Sequence, residues 1–283
     1  MIKQLGTLKA PLLIFGGPYS NLHATKALLA EAKQRGIPKD NIICTGDITA
    51  YCGNPNETSE LIKNAGIHSI QGNCEESLAA DTENCGCGYD GETACALLSK
   101  TWYEFSKTHT PSSLKQWMGS LPFRLELTLG GKRVHVLHGS ADSINTFIYP
   151  STSRSLKEDE IRKTGADIII AGHSGIPFTE LINGKIWHNA GVIGLPANDG
   201  TPRTWYSIIQ EKEGHLHFEH HALTYDHPAA AKSMRQHGLD EYATTLGTGI
   251  YPTFDSLADI EKDQTGIPLK PEVLKMKCDE LLI

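Results

Sequence analysis

The feature that most constrains the fold is a set of short, β-branched apolar runs, each followed by glycine and a polar residue. The runs are residues 41–44, 67–70, 134–137 and 167–170. Their composition favours buried strands. The residues that follow them are Gly46-Asp47, Gly72-Asn73-Cys74-Glu75, His138-Gly139 and Gly172-His173. Oxygen and nitrogen side chains on loops after successive strands can assemble a metal site, so this order predicts one.

The first half of the chain alternates predicted strands and helices. Strands are predicted at residues 11–15, 41–44 and 67–70, with helices at 21–35 and 57–64 between them. This β-α-β-α-β order is typical of a layered α/β fold. Residues 81–91, rich in glycine and cysteine, are predicted to form a loop, as are residues 73–75. Helices are predicted at residues 93–108 and 112–120.

The second half is dominated by predicted strand pairs. They are residues 124–129 with 133–137, a hairpin over 181–187 around Asn183-Gly184, and 204–210 with 215–224. A strand at 167–171 and a helix at 229–237 complete the set. The polar tail from residue 252 is interpreted as a loosely docked helix. Two strand-rich halves fit two sheets packed face to face.

Composition and charge exclude several classes of protein. The chain has 283 residues, 39% of them hydrophobic, which is enough for a substantial core. Its net charge of −7 disfavours nonspecific nucleic-acid binding, which depends on basic surfaces. Residues 1–10 hold no long apolar run and no stretch approaches a membrane span, so we expect a soluble cytoplasmic protein. Seven cysteines, an odd number, argue against a disulfide framework.

Taken together, the motifs resemble those of the calcineurin-like metallophosphoesterases. That family carries Asp-x-His, Gly-Asp, Gly-Asn-His-Asp or Gly-Asn-Cys-Asp, a further histidine, and Gly-His-x-His, in this order. The resemblance covers roughly residues 10–245. It implies an α/β fold, a four-layer αββα sandwich with the metal site at one edge. We expect one such domain over residues 1–245, with residues 246–283 as a C-terminal extension packed on it.

Three positions depart from the family pattern. Gly17 stands where the first aspartate is expected and Tyr19 where its histidine is expected, although the Asn21-Leu22 pair that usually follows is kept. Gly175 replaces the last histidine of Gly-His-x-His. These losses remove ligands of the first metal. Tyr19 is expected to form a wall of the pocket.

The resemblance implies that the second-metal ligands remain. They are Asp47, Asn73, His138 and His173. A mixed set of carboxylate, amide and imidazole ligands suits a divalent ion such as Zn, Mn, Fe or Ni, and the number bound per chain stays open. Asn73 would also orient the phosphate, Cys74 takes the place of the general acid, and Glu75 would support the ligands from behind.

Further residues match family positions less specifically. Asn21, Asn189 and Arg203 are candidate substrate contacts, although a surface charge is the favoured interpretation of Arg203. His188 precedes Asn189 and is a possible replacement ligand, but adjacent residues of a strand point in opposite directions. Cysteines near the site could also rebuild the first metal position, or could be reduced thiols in a loop: Cys74, Cys85, Cys87 and Cys95.

Three functions remain open on the sequence. The first is a metal-dependent phosphoesterase, acting on phosphomonoesters or phosphodiesters, with an altered and possibly mononuclear site. The second is a catalytically inactive descendant that binds phosphate or nucleotides. The third is a thiol-metal sensor. A small phosphorylated substrate is the expected partner, with a possible homo-oligomer and neither a membrane nor a nucleic acid.

Overall fold

Two six-stranded sheets form the centre of the protein. We describe them from a computed structural model that covers residues 1–88 and 93–279, so the last part of the loop predicted at 81–91 lies outside the described residues. The strands are β1 (Ile2–Thr7), β2 (Leu12–Phe15), β3 (Ile42–Cys44), β4 (His68–Ser69), β5 (Arg124–Leu129), β6 (Lys132–Val136), β7 (Ile168–Ala171), β8 (Phe178–Ile182), β9 (Lys185–Asn189), β10 (Thr204–Lys212), β11 (His215–Leu223) and β12 (Val273–Lys277).

The helices are distributed around and between these strands. They are α1 (Leu22–Gln34), α2 (Pro55–Ala65), α3 (Asn73–Ala79), α4 (Ala94–His109), α5 (Ser112–Ser120), α6 (Arg154–Thr164), α7 (His227–Arg235), α8 (Asp240–Thr248) and α9 (Asp259–Asp263), with a short 3-10 turn at Lys39–Asn41. Within the described ranges, none of these helices is both long and apolar enough to span a lipid bilayer.

The sheets pack face to face because alternate residues of their strands are apolar on the inner side. Sheet I has the order β1-β5-β6-β7-β9-β8, and sheet II the order β12-β11-β10-β2-β3-β4. Their shared core includes Ile14 and Phe218 from sheet II and Val134 and Ile170 from sheet I, all fully buried. This is the expected result of a side-chain period of two.

Helices cover the outer faces, which confirms the predicted four-layer arrangement. Leu13 and Phe15 of β2 point away from the sheet interface and pack with Leu28 of α1. On the other side, Ile161 of α6 packs with Trp187 of β9. Each outer helix thus buries the second apolar face of a strand, as the near-continuous hydrophobic runs require.

For two segments the predicted type of secondary structure was wrong. Residues 73–75 begin helix α3 and do not form a loop, because Glu75 accepts a hydrogen bond from the backbone amide of Gly72 and so caps the helix. The tail is not a docked helix over its whole length: α9 is short, and β12 joins sheet II. Its Met276 pairs with Leu216 of β11 and becomes buried, which adds to the shared core.

Helices α4, α7 and α8 form a separate layer near one end of the sandwich. Trp102 of α4, Met234 of α7 and Tyr242 of α8 belong to one buried cluster, which also includes Tyr19 from the loop after β2. This cluster consists largely of aromatic and sulfur-containing side chains. It lies beside the predicted site.

Candidate metal centre

The predicted ligands are carried by the segments that directly follow strands of both sheets. Asp47 follows β3, His138 follows β6, His173 follows β7, and Asn73 opens α3 just after β4. Asp47 and His173 have positive φ angles of 56° and 59°. This backbone conformation is unfavourable for residues other than glycine and is concentrated at functional sites.

These four side chains, here called the metal cluster, converge on one point. His138 Nε2 lies 3.2 Å from Asp47 Oδ2, 3.2 Å from Asn73 Oδ1 and 3.2 Å from His173 Nδ1. All four residues are buried. Ligand atoms of Asp47, His138 and His173 lie within 4.8 Å of one another, the spacing of a possible metal site.

The chemistry of this donor set fits a cation. His138 Nδ1 lies 2.7 Å from the Thr45 carbonyl oxygen, which can only accept, so Nδ1 carries a proton. In the neutral ring the Nε2 lone pair then faces the carboxylate of Asp47, the amide oxygen of Asn73 and Nδ1 of His173. Several lone pairs directed at one buried point repel each other unless a positive charge lies between them.

The protonation behaviour of the two imidazoles follows from the same geometry. Burial works against the charged form of His138, but the Asp47 carboxylate outweighs it and raises the pKa of His138. Burial, reinforced by His138, lowers the pKa of His173 to about 3. A proton on His138 is therefore the alternative to a metal ion, and His173 stays neutral and able to donate its lone pair.

Small residues make room for the metal cluster. A Cβ on Gly46 would lie 2.9 Å from His138 Nδ1, and one on Gly72 would collide with the carboxylate of Asp47. Real Cβ atoms do not approach other atoms this closely. The Gly-Asp and Gly-Asn pairs are thus required by the packing of the ligands themselves.

Glu75 fixes the backbone of the loop that carries Asp47. Its buried carboxylate accepts backbone hydrogen bonds from Asp47 (2.7 Å), Ile48 (2.7 Å), Thr49 (3.2 Å) and Gly72 (2.9 Å). Burial and the nearby Asp47 carboxylate raise the pKa of Glu75 to about 7. The side chain therefore fixes the position of a ligand without itself joining the metal cluster.

Tyr19 lies against Gly17, the position where the sequence resemblance places the first aspartate. A Cβ on Gly17 would be 2.5 Å from Cζ of Tyr19 and 2.7 Å from Cγ1 of Val192, and the φ angle of Gly17 is +40°. An aspartate at position 17 is incompatible with this placement of the tyrosine ring. At the third altered position, Gly175 has a φ of +74°, which strains any other residue.

The candidate substrate contacts have partners inside the protein. Asn21 caps α1 at the Ala24 amide and donates to the Gly194 carbonyl. Asn189 donates to the Gly172 carbonyl and so supports the turn that carries His173. Their role toward a substrate remains a prediction.

Arg203 is also engaged within the protein. It donates to the Asp199 carboxylate at 3.2 Å and to the Leu269 carbonyl, and its guanidinium lies over the Trp205 ring. A phosphate contact by Arg203 would have to compete with these partners.

His188 is turned away from the site, into the space between the sheets. Its Nε2 lies 2.7 Å from Ser207 Oγ and its Nδ1 2.8 Å from Thr179 Oγ1. Both ring nitrogens have partners, so His188 is not placed to replace a missing ligand. Asn189 faces the opposite side of the same strand, as the alternation along a strand requires.

Cysteines lie near the metal cluster but do not join it. Cys74 Sγ is 3.7 Å from Asn73 Nδ2, and a hydrogen bond with Cys87 raises the pKa values of Cys85 and Cys95. Over residues 1–88 and 93–279, no set of three thiol, carboxylate or imidazole ligands other than that of the metal cluster has its atoms within 4.8 Å. The alternative of a rebuilt thiolate site has no geometric support in this part of the chain.

A cavity beside the metal cluster was not foreseen from the sequence, apart from Tyr19. His173 forms part of its lining, and six of the other fifteen lining residues are aromatic. We call it the aromatic cavity and define it by Tyr19, Tyr51, Trp102, Phe147, Tyr242 and Tyr251. These residues come from distant segments. Only a helical pattern around Trp102 could have suggested that one of them is buried.

Comparison with known proteins gives consistent results. A family profile described as the calcineurin-like phosphoesterase superfamily domain matches residues 17–213. The uncharacterized protein MJ0912 of Methanocaldococcus jannaschii is 29% identical, over 83% of this chain and 96% of its own length.

Two solved structures share the fold. One is a metallophosphoesterase from Sphaerobacter thermophilus, with a TM-score of 0.65 and 22% identity over 86% of this chain and all of its own. The other is the hypothetical protein PH1004 from Pyrococcus horikoshii, with a TM-score of 0.69 and 17% identity over the same shares.

Proposed function

Because the chain belongs to the calcineurin-like phosphoesterase superfamily, we propose that it hydrolyses small phosphomonoesters or phosphodiesters with one divalent metal ion. The observation that carries this proposal is the convergence of Asp47, Asn73 and His173 on Nε2 of His138. A buried point surrounded by oxygen and nitrogen lone pairs is a site for Zn, Mn, Fe or Ni.

The residues of the metal cluster have distinct parts in this proposal. Asp47, His138 and His173 would hold the ion, which when bound supplies Lewis acidity and lowers the pKa of a bound water. The Asn73 amide nitrogen donates to the Cys85 carbonyl at 2.7 Å, and this bond aims its oxygen at His138. Burial raises the pKa of Cys74 well above its usual range, so its thiol keeps a proton next to the cluster.

A mononuclear site is the form that the packing favours. With Tyr19 against Gly17, the first metal position lacks its aspartate and has an aromatic ring near the place of the ligand. The same observation favours a second candidate, a protein that binds phosphate at the remaining metal and does not turn it over. The two differ only in catalysis, so one experiment separates them.

The experiment is a hydrolysis assay on protein loaded with Mn²⁺ or Zn²⁺, using para-nitrophenyl phosphate and bis-para-nitrophenyl phosphate. We expect turnover that falls at least about 100-fold in His138→Asn, since the variant loses a ligand and much of its metal affinity. His135→Asn, on the strand β6 that precedes His138 but outside the metal cluster, is the matched control. Phosphate binding without turnover in any metal would contradict the phosphoesterase and support the binding protein.

A further inference from the structure

The aromatic cavity begins at the metal cluster. Its lining includes His173, whose ring centroid lies 4.0 Å from that of Phe147. On the other side, Tyr19 lines the cavity and its backbone N–H donates to the Asp47 carbonyl at 3.1 Å. A group bound in the cavity would therefore touch the residues that hold the metal.

The walls form a continuous aromatic surface centred on Tyr51. Its ring centroid is 4.8 Å from Tyr19, 4.6 Å from Trp102 and 4.7 Å from Tyr242. The Tyr19 and Tyr51 rings meet edge to face at 83°. These distances and angles are those of attractive aromatic pairs, so the walls support each other and keep their shape without a ligand.

Polar groups are present in this surface, but formal charge is scarce. No hydrogen bond joins the hydroxyls of Tyr19, Tyr51, Tyr242 or Tyr251 to another residue of the described ranges. These phenols can therefore bond to a ligand. The described lining contains no lysine, arginine, aspartate or glutamate, so it suits an uncharged group and offers nothing to a second phosphate.

The size of the cavity limits the ligand further. The cavity is partly open to solvent and has a volume of about 70 Å³, less than the roughly 150 Å³ of a closed cavity that binds benzene. It can therefore take in no more than one six-membered ring. A ring of this size would be in contact with aromatic walls on more than one side.

We propose that the aromatic cavity binds a single uncharged aromatic ring of the substrate, so that the substrates are phosphoesters of ring-bearing alcohols. This inference rests on the proposed function. It assigns substrate selectivity to Tyr51, Trp102 and Tyr242, which lie away from the metal cluster. Ring-bearing alcohols from nucleosides and from arylalkyl compounds share this chemistry.

The test compares two substrates whose six-membered ring is aromatic in one and saturated in the other, benzyl phosphate and cyclohexylmethyl phosphate. Both release a primary alcohol, so their intrinsic reactivity is similar. We expect kcat/KM of the Mn²⁺-loaded protein to be roughly three- to tenfold higher for benzyl phosphate, the range of an aromatic contact. Uridine monophosphate is assayed as a third substrate. Comparing its kcat/KM with that of benzyl phosphate shows whether the cavity prefers the ring of a nucleotide or that of an arylalkyl ester.

Substitutions of cavity residues test whether the preference for benzyl phosphate arises in the aromatic cavity. Tyr51→Leu should bring the ratio of the two kcat/KM values close to one, whereas Tyr51→Phe, which keeps the ring, should preserve it. If Tyr51→Leu does not fold, Tyr242→Leu makes the same test. Phe123→Leu removes an aromatic ring that is 48% exposed and outside the cavity lining, and should leave the ratio unchanged.

Binding of benzylphosphonate and cyclohexylmethylphosphonate, which cannot be hydrolysed, is measured in parallel by calorimetry. Equal turnover of both phosphates overturns the cavity inference and leaves the phosphoesterase intact. No turnover, with tighter binding of the benzyl compound, overturns the phosphoesterase and supports the cavity. No turnover and equal binding overturns both.

Discussion

At the scale of single residues, the most informative side chain of the site is one that cannot reach the metal. Glu75 organises the backbone that presents Asp47, through hydrogen bonds to backbone amides on both sides of the metal cluster. A carboxylate offers two acceptor oxygens, whereas the amide of glutamine offers one oxygen and one donor. Replacing glutamate by the nearly isosteric glutamine at position 75 therefore removes one acceptor for these backbone amides.

Glu75→Gln places an NH₂ group against backbone N–H donors. We expect the free energy of unfolding to fall by about 1–3 kcal/mol, the range for a buried donor left without its acceptor. Metal affinity should fall roughly 10- to 100-fold. Urea unfolding and metal titration check both effects. Glu76→Gln, exposed on the same helix, is the control, and equal behaviour of the two variants would contradict this role for Glu75.

Gly17→Asp restores the family's aspartate but not its surroundings. Its Cβ would lie 2.5 Å from the Tyr19 ring, so we expect a loss of stability of about 1–3 kcal/mol from overpacking and no additional metal. Gly17→Asp with Tyr19→His replaces the phenol ring by the smaller imidazole and should bind more metal per chain than the wild type. Elemental analysis gives the ratio. A second metal in the single variant would contradict the steric argument.

At the scale of elements, a polar network joins strands of the two sheets. Thr179 of β8 lies between His188 of β9 and His220 of β11, with Thr179 Oγ1 2.8 Å from His188 Nδ1 and 2.9 Å from His220 Nε2. Burial, with the neighbouring His221, lowers the pKa of His220 to about 4. Burial and His220 lower the pKa of His188 as well. Both rings are neutral in the folded protein.

This network predicts the direction of a pH dependence. An unfolded histidine binds a proton near pH 6.5, and the folded pKa of His220 is lower, at about 4. The unfolded state thus binds more protons between these values, and stability decreases as pH falls from 6.5 toward 4. For His220 the loss between pH 7 and pH 5 is about 2 kcal/mol.

His220→Gln should remove this part of the pH dependence. Urea unfolding at pH 7 and pH 5 measures the loss, and the difference between His220→Gln and the wild type isolates the part that comes from His220, since the metal ligands titrate alike in both proteins. His217→Gln, on the same strand but outside the network, should retain the wild-type loss. An unchanged pH dependence in His220→Gln would show that His220 is not buried in its neutral form.

The sequence predicted those elements whose pattern is set by local chemistry. The strands before the ligands, the hairpin at Asn183-Gly184 and the helix that starts after Asn21 are in place to within a few residues. The sequence did not predict elements whose structure depends on contacts with distant segments of the chain. β1 and β12 have mostly exposed or half-exposed side chains, and α6 is strongly polar with few buried residues.

The candidate site also combines features that the local sequence predicts with features that depend on distant contacts. Strand-end motifs pointed to the residues that the structure brings together in the metal cluster, because strand ends and ligand chemistry are local properties. The amide contacts of Glu75 and the aromatic cavity depend on segments far apart in the chain. Trp102, Phe147 and Tyr242 meet only after folding, and no spacing in the sequence relates them.

At the scale of the whole molecule, the metal cluster joins segments from both sheets. Asp47 follows a strand of sheet II, and His138 and His173 follow strands of sheet I. An ion held by these residues would bind the folded state and not the unfolded chain, so it would stabilise the whole protein by mass action. Its removal should therefore be visible in global unfolding.

We expect Mn²⁺ at about 100 times its dissociation constant to add about 2.7 kcal/mol of stability over protein in EDTA. For a chain of this size the corresponding rise in Tm is about 4–5 °C. Scanning calorimetry measures it. His138→Asn should show no rise, and a full rise in that variant would place the bound metal elsewhere.

The contact between Gly17 and Tyr19 also fixes the order in which these positions can change. Glycine at 17 accepts either histidine or tyrosine at 19, since it has no Cβ near the ring. Tyrosine at 19, as placed here, accepts only a residue without a Cβ at 17. A lineage that began with aspartate and histidine would reach the present pair without this overlap only by changing to glycine first. With tyrosine in place, reversion at 17 alone carries the cost of the overlap.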